Sequence, residues 1–123
     1  MPSAAEQDWP VLQFVSSDEF FRRIRSDQFD PKDNSISSAA FTPERMSVNW
    51  AARSTVEETL REHENDGLAS ILAELCWTLN QQIEHTPITG NPAHCEVVGK
   101  KTKSIRRQFA RAAKWLQLPS QVG

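Results

Sequence analysis

Two histidines, His85 and His94, flank the turn-rich segment TPITGNPA, and Glu96 follows two residues behind the second. An imidazole changes charge near neutral pH, so two of them side by side can relay a proton or hold a metal ion. With Glu96 and an arginine of the FFRRIR stretch, Arg22 or Arg23, they compose a candidate His/Glu/Arg catalytic site. The arrangement requires residues 81–86 and 94–99 to pair as a hairpin. Against a metal site, the adjacent His94 and Cys95 point to opposite faces of a strand, and a structural zinc wants four ligands. No metal and no cofactor is expected, and the economical reading of both histidines is as capping or surface groups around a turn.

The two cysteines invite a nucleophile reading. Cys76 falls on an apolar helical stripe and Cys95 alternates with Val97, so both are expected to be buried and to behave as small hydrophobes. Two are also too few to staple a secreted scaffold.

Charge is distributed unevenly. Residues 1–99 carry all 16 acidic side chains and seven of the 14 basic ones, whereas residues 100–123 carry the other seven and no acid. A helix over 103–117 places Lys103, Arg107, Arg111 and Lys114 on one side, with Lys100 and Lys101 at its foot. Cations so placed can each meet a phosphate, which makes a nucleic acid or another polyanion a candidate partner. The alternative is a solvated face, or one paired with the acidic segment 54–67. The overall pI of about 5.9 argues against a dedicated nucleic-acid binder.

An arginine on an early element (FFRRIRSD), then a Ser-rich segment (SISSAAF) and a later glutamate, Glu84 or Glu96, resemble in order the ADP-ribosyltransferase-like folds. The resemblance implies that Arg and Ser position NAD and Glu orients the ribose. The chain is shorter than that fold, and the Arg stretch reads as a capped helix. A metal-assisted hydrolase of the restriction-nuclease type wants an acid two residues before a lysine, but Glu96 is followed at that position by Val98. There is no HExxH and no Gly-rich phosphate loop.

At 123 residues with 38% hydrophobic side chains, one domain with one core is expected. Four Trp and six Phe supply its anchors. No apolar run approaches the roughly 18 residues of a membrane span, and the first ten residues do not resemble a secretory leader, so the expectation is a cytoplasmic protein with no membrane partner.

The elements that must position these residues follow from periodicity. Residues 1–9 are expected to be disordered, 10–118 to form a single α+β domain, and 119–123 to be a tail. PVLQFV reads as a short strand. Ser16 with Glu19 forms a capping-box spacing that predicts a helix over about 17–25, and Ser54 with Glu57 predicts another over 54–67. SISSAAF and RMSVNWA read as a hairpin, the second alternating Met46, Val48 and Trp50 with Ser47 and Asn49. Apolar residues at 68, 71, 72, 75, 76 and 79 predict a helix over 69–80, and HCEVVGK a strand. The sum is a small antiparallel sheet of three or four strands covered by three or four helices, the last of them amphipathic and basic. The favoured function is a non-enzymatic module that binds a protein or polyanion through exposed hairpin residues (Trp50, Arg53) or the basic helix. The alternative is the small enzyme described above.

Overall fold

EFFRRI forms a strand, β1 (Glu19–Ile24), and not the expected capped helix. Phe20 and Ile24 are buried on one face and Phe21 on the other. A strand covered on both sides loses simple alternation, and its apolar spacing then imitates that of a helix. No capping box forms at Ser16. Its carbonyl and that of Asp18 accept from the amides of Glu74 and Ala73. The computed structural model describes residues 13–120, so the expected disordered segment 1–9 and the start of PVLQFV lie outside the described residues, and the described part of that expected strand, residues 13–15, forms none.

The DPKDN segment turns as its composition predicts, with Lys32 N bonded to Asp30 Oδ1, Ser35 N bonded to Asp33 Oδ1, and Asn34 at φ 60°. It joins β2 (Phe29–Asp30) to β3 (Ser35–Ile36) in a two-stranded ribbon. SSAAF then forms a 3-10 turn that buries Ala40 and Phe41, so SISSAAF does not pair with β4 (Arg45–Trp50). The acidic helix is shorter than expected. Thr55 caps α1 (Val56–Leu60) by accepting from Glu58 N, one residue later than the Ser54 spacing suggests.

The predicted helix over 69–80 divides into β5 (Gly67–Leu72) and α2 (Ala73–Thr78). The last predicted helix also divides, into α3 (Lys103–Ala112) and β8 (Lys114–Gln117). Between them β6 (Gln82–His85) and β7 (His94–Val98) form the hairpin that the histidine pair would require, with Cys95 and Val97 buried on one face. The main sheet has six strands in the order β6-β7-β4-β1-β5-β8, every neighbouring pair antiparallel. The three or four strands covered by three or four helices are therefore replaced by a mostly β fold. It has the six-stranded sheet, the ribbon, and three α-helices among the described residues.

One face of this sheet carries the main core. Phe20, Ile24, Met46, Val48, Ile71, Cys95 and Val97 meet Ala73, Cys76 and Leu79 from the α2 region and Phe109 from α3. Phe109 stacks on Phe41 with ring centroids 5.6 Å apart. Burial pushes the Cys76 and Cys95 thiols up to about 12, so neither supplies a thiolate at neutral pH. The opposite face is covered over β1 and β5, where Leu60 of α1 packs on Phe21 and Leu68.

Candidate functional site

Beyond α1, the outer face continues over β4 and β7. Register places Asn49 beside His94, Ser47 beside Glu96 and Arg45 beside Val98. Of these, Ser47, Asn49 and His94 form the floor of a cleft of about 520 Å³. One wall is α1 with the loop behind it, including Glu58, Thr59, Arg61, Glu62 and His63. Glu62 adopts φ 69°, a left-handed conformation uncommon for a residue with a Cβ. The other wall is the turn at Gly90, Asn91 and Pro92.

A chain of side-chain hydrogen bonds ties the walls to the floor. Asn91 Nδ2 donates to Asn49 Oδ1 at 2.9 Å, Asn49 Nδ2 donates to Thr59 Oγ1 at 3.0 Å, and Thr59 Oγ1 lies 3.0 Å from Ser54 Oγ. Each such bond adds about 1 kcal/mol, and together they fix the width of the cleft.

Arg22 closes the inner end. The register between β1 and β4 comprises Phe20–Trp50 and Phe21–Asn49. Past that point the Arg22 guanidinium occupies the space between the strands, donating Nε to Ala40 O and Nη1 to Ser47 O, both at 3.0 Å. Burial, and to a lesser extent the charges of Arg23 and Arg25, lower its pKa to about 10, so it stays charged at neutral pH. Two of its five N–H groups serve these carbonyls. The exposed Arg23 lines the same cleft.

The histidine pair does not form. His85 stands opposite Cys95 on the core face, 5% exposed, with Nε2 2.8 Å from Pro92 O and its ring edge-on to Trp50. His94 lies on the other face, in the cleft. Its Nδ1 is 2.9 Å from Thr86 O and 3.0 Å from Thr86 Oγ1, and its Nε2 is 3.3 Å from Ser47 Oγ. Glu96 and Glu84 both pair with Arg45, at 3.2 and 2.8 Å, which raises the Arg45 pKa. Of the candidate His/Glu/Arg set, then, His94 and both arginines, Arg22 and Arg23, share the cleft. Among the described residues no group of three His, Cys, Asp or Glu side chains is placed to hold a metal ion.

The basic segment is divided by the fold. Lys101 turns inward, its Nζ donating to the carbonyls of Glu44, Val97 and Gly99 at 2.9, 2.9 and 3.2 Å, and burial lowers its pKa to about 8. Lys114 belongs to β8 and Lys100 is an exposed residue before α3. Lys103, Arg107 and Arg111 are exposed along α3 and form no ion pair with the described residues. The acidic α1 packs on the opposite sheet face from α3, so the two helices cannot neutralise each other. Trp50, expected as an exposed anchor, is half-buried: its ring packs against Phe14, Arg53 lies over it at 5.0 Å, and Nε1 donates to Asp18 Oδ1.

The cleft contains residues that sequence reasoning passed over, namely Ser47, Asn49, Thr59, His63 and Asn91. For Ser47 and Asn49 the signal was present, because they alternate with the core residues of RMSVNW. The rest come from wall segments whose approach to β4 depends on the sheet order. No helix of the described residues is long and apolar enough to cross a membrane. No family model, no curated protein and no solved structure matches the chain.

Proposed function

We propose that the domain binds a small polar ligand bearing an anionic group in this cleft. The observation that carries the reading is the convergence of Arg22, Arg23 and His94 on one concave polar floor. The volume lies within the roughly 300–1,000 Å³ of small-molecule sites. A guanidinium presents donors in a planar fork that matches a carboxylate or phosphate. Glu58 and Glu62 on the opposing wall favour a ligand that also carries a hydrogen-bond donor or a positive group.

Titration of ¹⁵N-labelled protein with citrate, and separately with inorganic phosphate, tests this. Amide shifts are expected around residues 22–23, 47–49 and 91–94, at millimolar concentrations or below. Arg23→Ala should weaken binding about tenfold, as loss of one charge-assisted contact requires. Shifts centred elsewhere, or none with either anion, defeat the reading.

A second reading rests on the outward cations of α3, Lys103, Arg107 and Arg111. They suit a phosphate backbone, with affinity that falls steeply as salt rises. A gel shift with duplex DNA at low salt, abolished by reversing Arg107 and Arg111 to Glu, is its expected outcome. Absence of a shift with the wild-type protein at low salt removes it.

A further inference from the structure

We propose that Ser47 and His94 are a nucleophile and its general base, and that the cleft catalyses acyl transfer from an ester to water. The inference deepens the ligand-binding reading and rests on it for the substrate's anionic group.

The tautomer of His94 follows from its partners. The Thr86 carbonyl can only accept, so Nδ1 must carry a hydrogen and donate to it at 2.9 Å, with Thr86 Oγ1 at 3.0 Å as a second acceptor. In the neutral ring Nε2 is then bare, and it faces Ser47 Oγ at 3.3 Å. The hydroxyl therefore donates to Nε2. An acceptor that orients an imidazole, whose other nitrogen receives a serine proton, is the arrangement that activates an alcohol, and such contacts are often loose before substrate binds. Here the orienting acceptor is a backbone carbonyl and not a carboxylate, so it fixes the ring but gives the imidazolium less stabilisation. The turnover should be modest.

The surroundings are consistent with this assignment. Ser47 and His94 line the cleft together and come from paired strands, so the ladder sets their spacing. The Ser47 carbonyl is held by the half-buried Arg22 guanidinium at 3.0 Å. Arg22 and Arg23, on the strand beside that of Ser47, are with Arg61 of the wall the arginines of the cleft lining, available to negative charge that develops on a substrate oxygen.

In the first step Ser47 Oγ bonds to the ester carbonyl carbon while its proton passes to His94 Nε2. The carbon–oxygen bond to the leaving alcohol then breaks, and the alkoxide takes the proton from Nε2. Water repeats the sequence on the acyl-serine, losing one proton to Nε2, and Ser47 recovers it as the carboxylic acid departs. No oxidant, reductant or further co-reactant is needed.

A fluorophosphonate probe tests the pair directly, because Ser47 Oγ would displace fluoride and form a stable phosphonyl ester. Peptide mapping should place the adduct on Ser47. Ser47→Ala should abolish it and lower p-nitrophenyl acetate hydrolysis about 100-fold, and His94→Gln should slow labelling by a similar factor. A Ser47→Cys variant guards against misfolding artefacts, since its thiol should be alkylated by iodoacetamide faster with His94 present than with Gln there. No adduct, an adduct on another residue, or labelling at the wild-type rate in His94→Gln overturns the proposal. Citrate shifts in a protein that does not label would sink the nucleophile pair and leave the binding reading standing. Labelling of Ser47 without citrate or phosphate shifts would do the reverse.

Discussion

Replacing Phe109 with alanine is expected to lower the free energy of unfolding by about 3–5 kcal/mol, the range found when a fully buried aromatic ring is deleted. Phe109 has no exposed surface and is the only residue of α3 buried to that degree; Ile105 and Ala110 pack only partly against the core. Its ring stacks on Phe41, which the 3-10 turn before β4 brings beneath the helix. One side chain therefore anchors α3. A domain of this size is stable by about 5–15 kcal/mol, so the loss removes a large part of the margin. Urea denaturation should show the midpoint falling steeply in Phe109→Ala, whereas Arg107→Ala, exposed on the same helix, should move within about 0.5 kcal/mol of wild type. Equal effects of the two substitutions would mean that α3 is not held through its buried ring.

The second large effect is expected at Arg22. Arg22→Met keeps much of the aliphatic volume but removes the donors to Ala40 O and to the exposed Ser47 O, and the part-buried Ala40 carbonyl left without a partner costs about 1–3 kcal/mol. We expect a loss of about 2–4 kcal/mol, together with loss of the citrate response at residues 47–49. Arg22→Lys should not restore either property, because one ammonium cannot reproduce donors fixed in a planar fork. The contrast with Arg23→Ala is informative. That exposed residue should weaken binding and leave the urea midpoint unchanged, whereas Arg22 should affect both. A stable Arg22→Met protein with wild-type anion shifts would show that the guanidinium neither bridges the strands nor shapes the floor.

How far the sequence reading reached varied with burial. β4 and β7 were legible because each has one wet face, so Met46–Val48 and Cys95–Val97 alternate with polar neighbours. β1 and β5 were not, because they lie inside the sheet with apolar contacts on both sides. FFRRI and GLASIL then carry no period of two, and Leu and Ala in the second weigh toward helix. The last helix was extended too far for a related reason. No glycine or proline marks Ala113, where the backbone turns extended at ψ 139°, and pairing of Trp115 with Ala69 overrides the helical stripe that Leu116 would have continued.

The site divides in the same way. The separation of His94 from Cys95 onto two faces was readable from alternation, and the same rule, applied through the register of β6 and β7, separates His85 from His94. The cleft itself was not readable. Its floor joins residues 47–49 to 94 and its walls come from 54–63 and 90–92, and only the strand order brings these together. Nor could the run of cations reveal that Lys101 turns inward to three carbonyls while Arg107 and Arg111 face out.

The position of β1 between β4 and β5 also bears on how the chain must be made. During translation Phe20, Phe21 and Ile24 leave the ribosome before either neighbour exists. Both partners, residues 45–50 and 67–72, must be synthesised before the strand is enclosed, about 2–10 s at ordinary elongation rates. Through that interval a segment carrying three core side chains, with two open edges, waits for strands that arrive on either side of it. An unpaired edge of this kind is where a nascent chain mispairs, so β1 is the segment whose late enclosure matters most to correct folding.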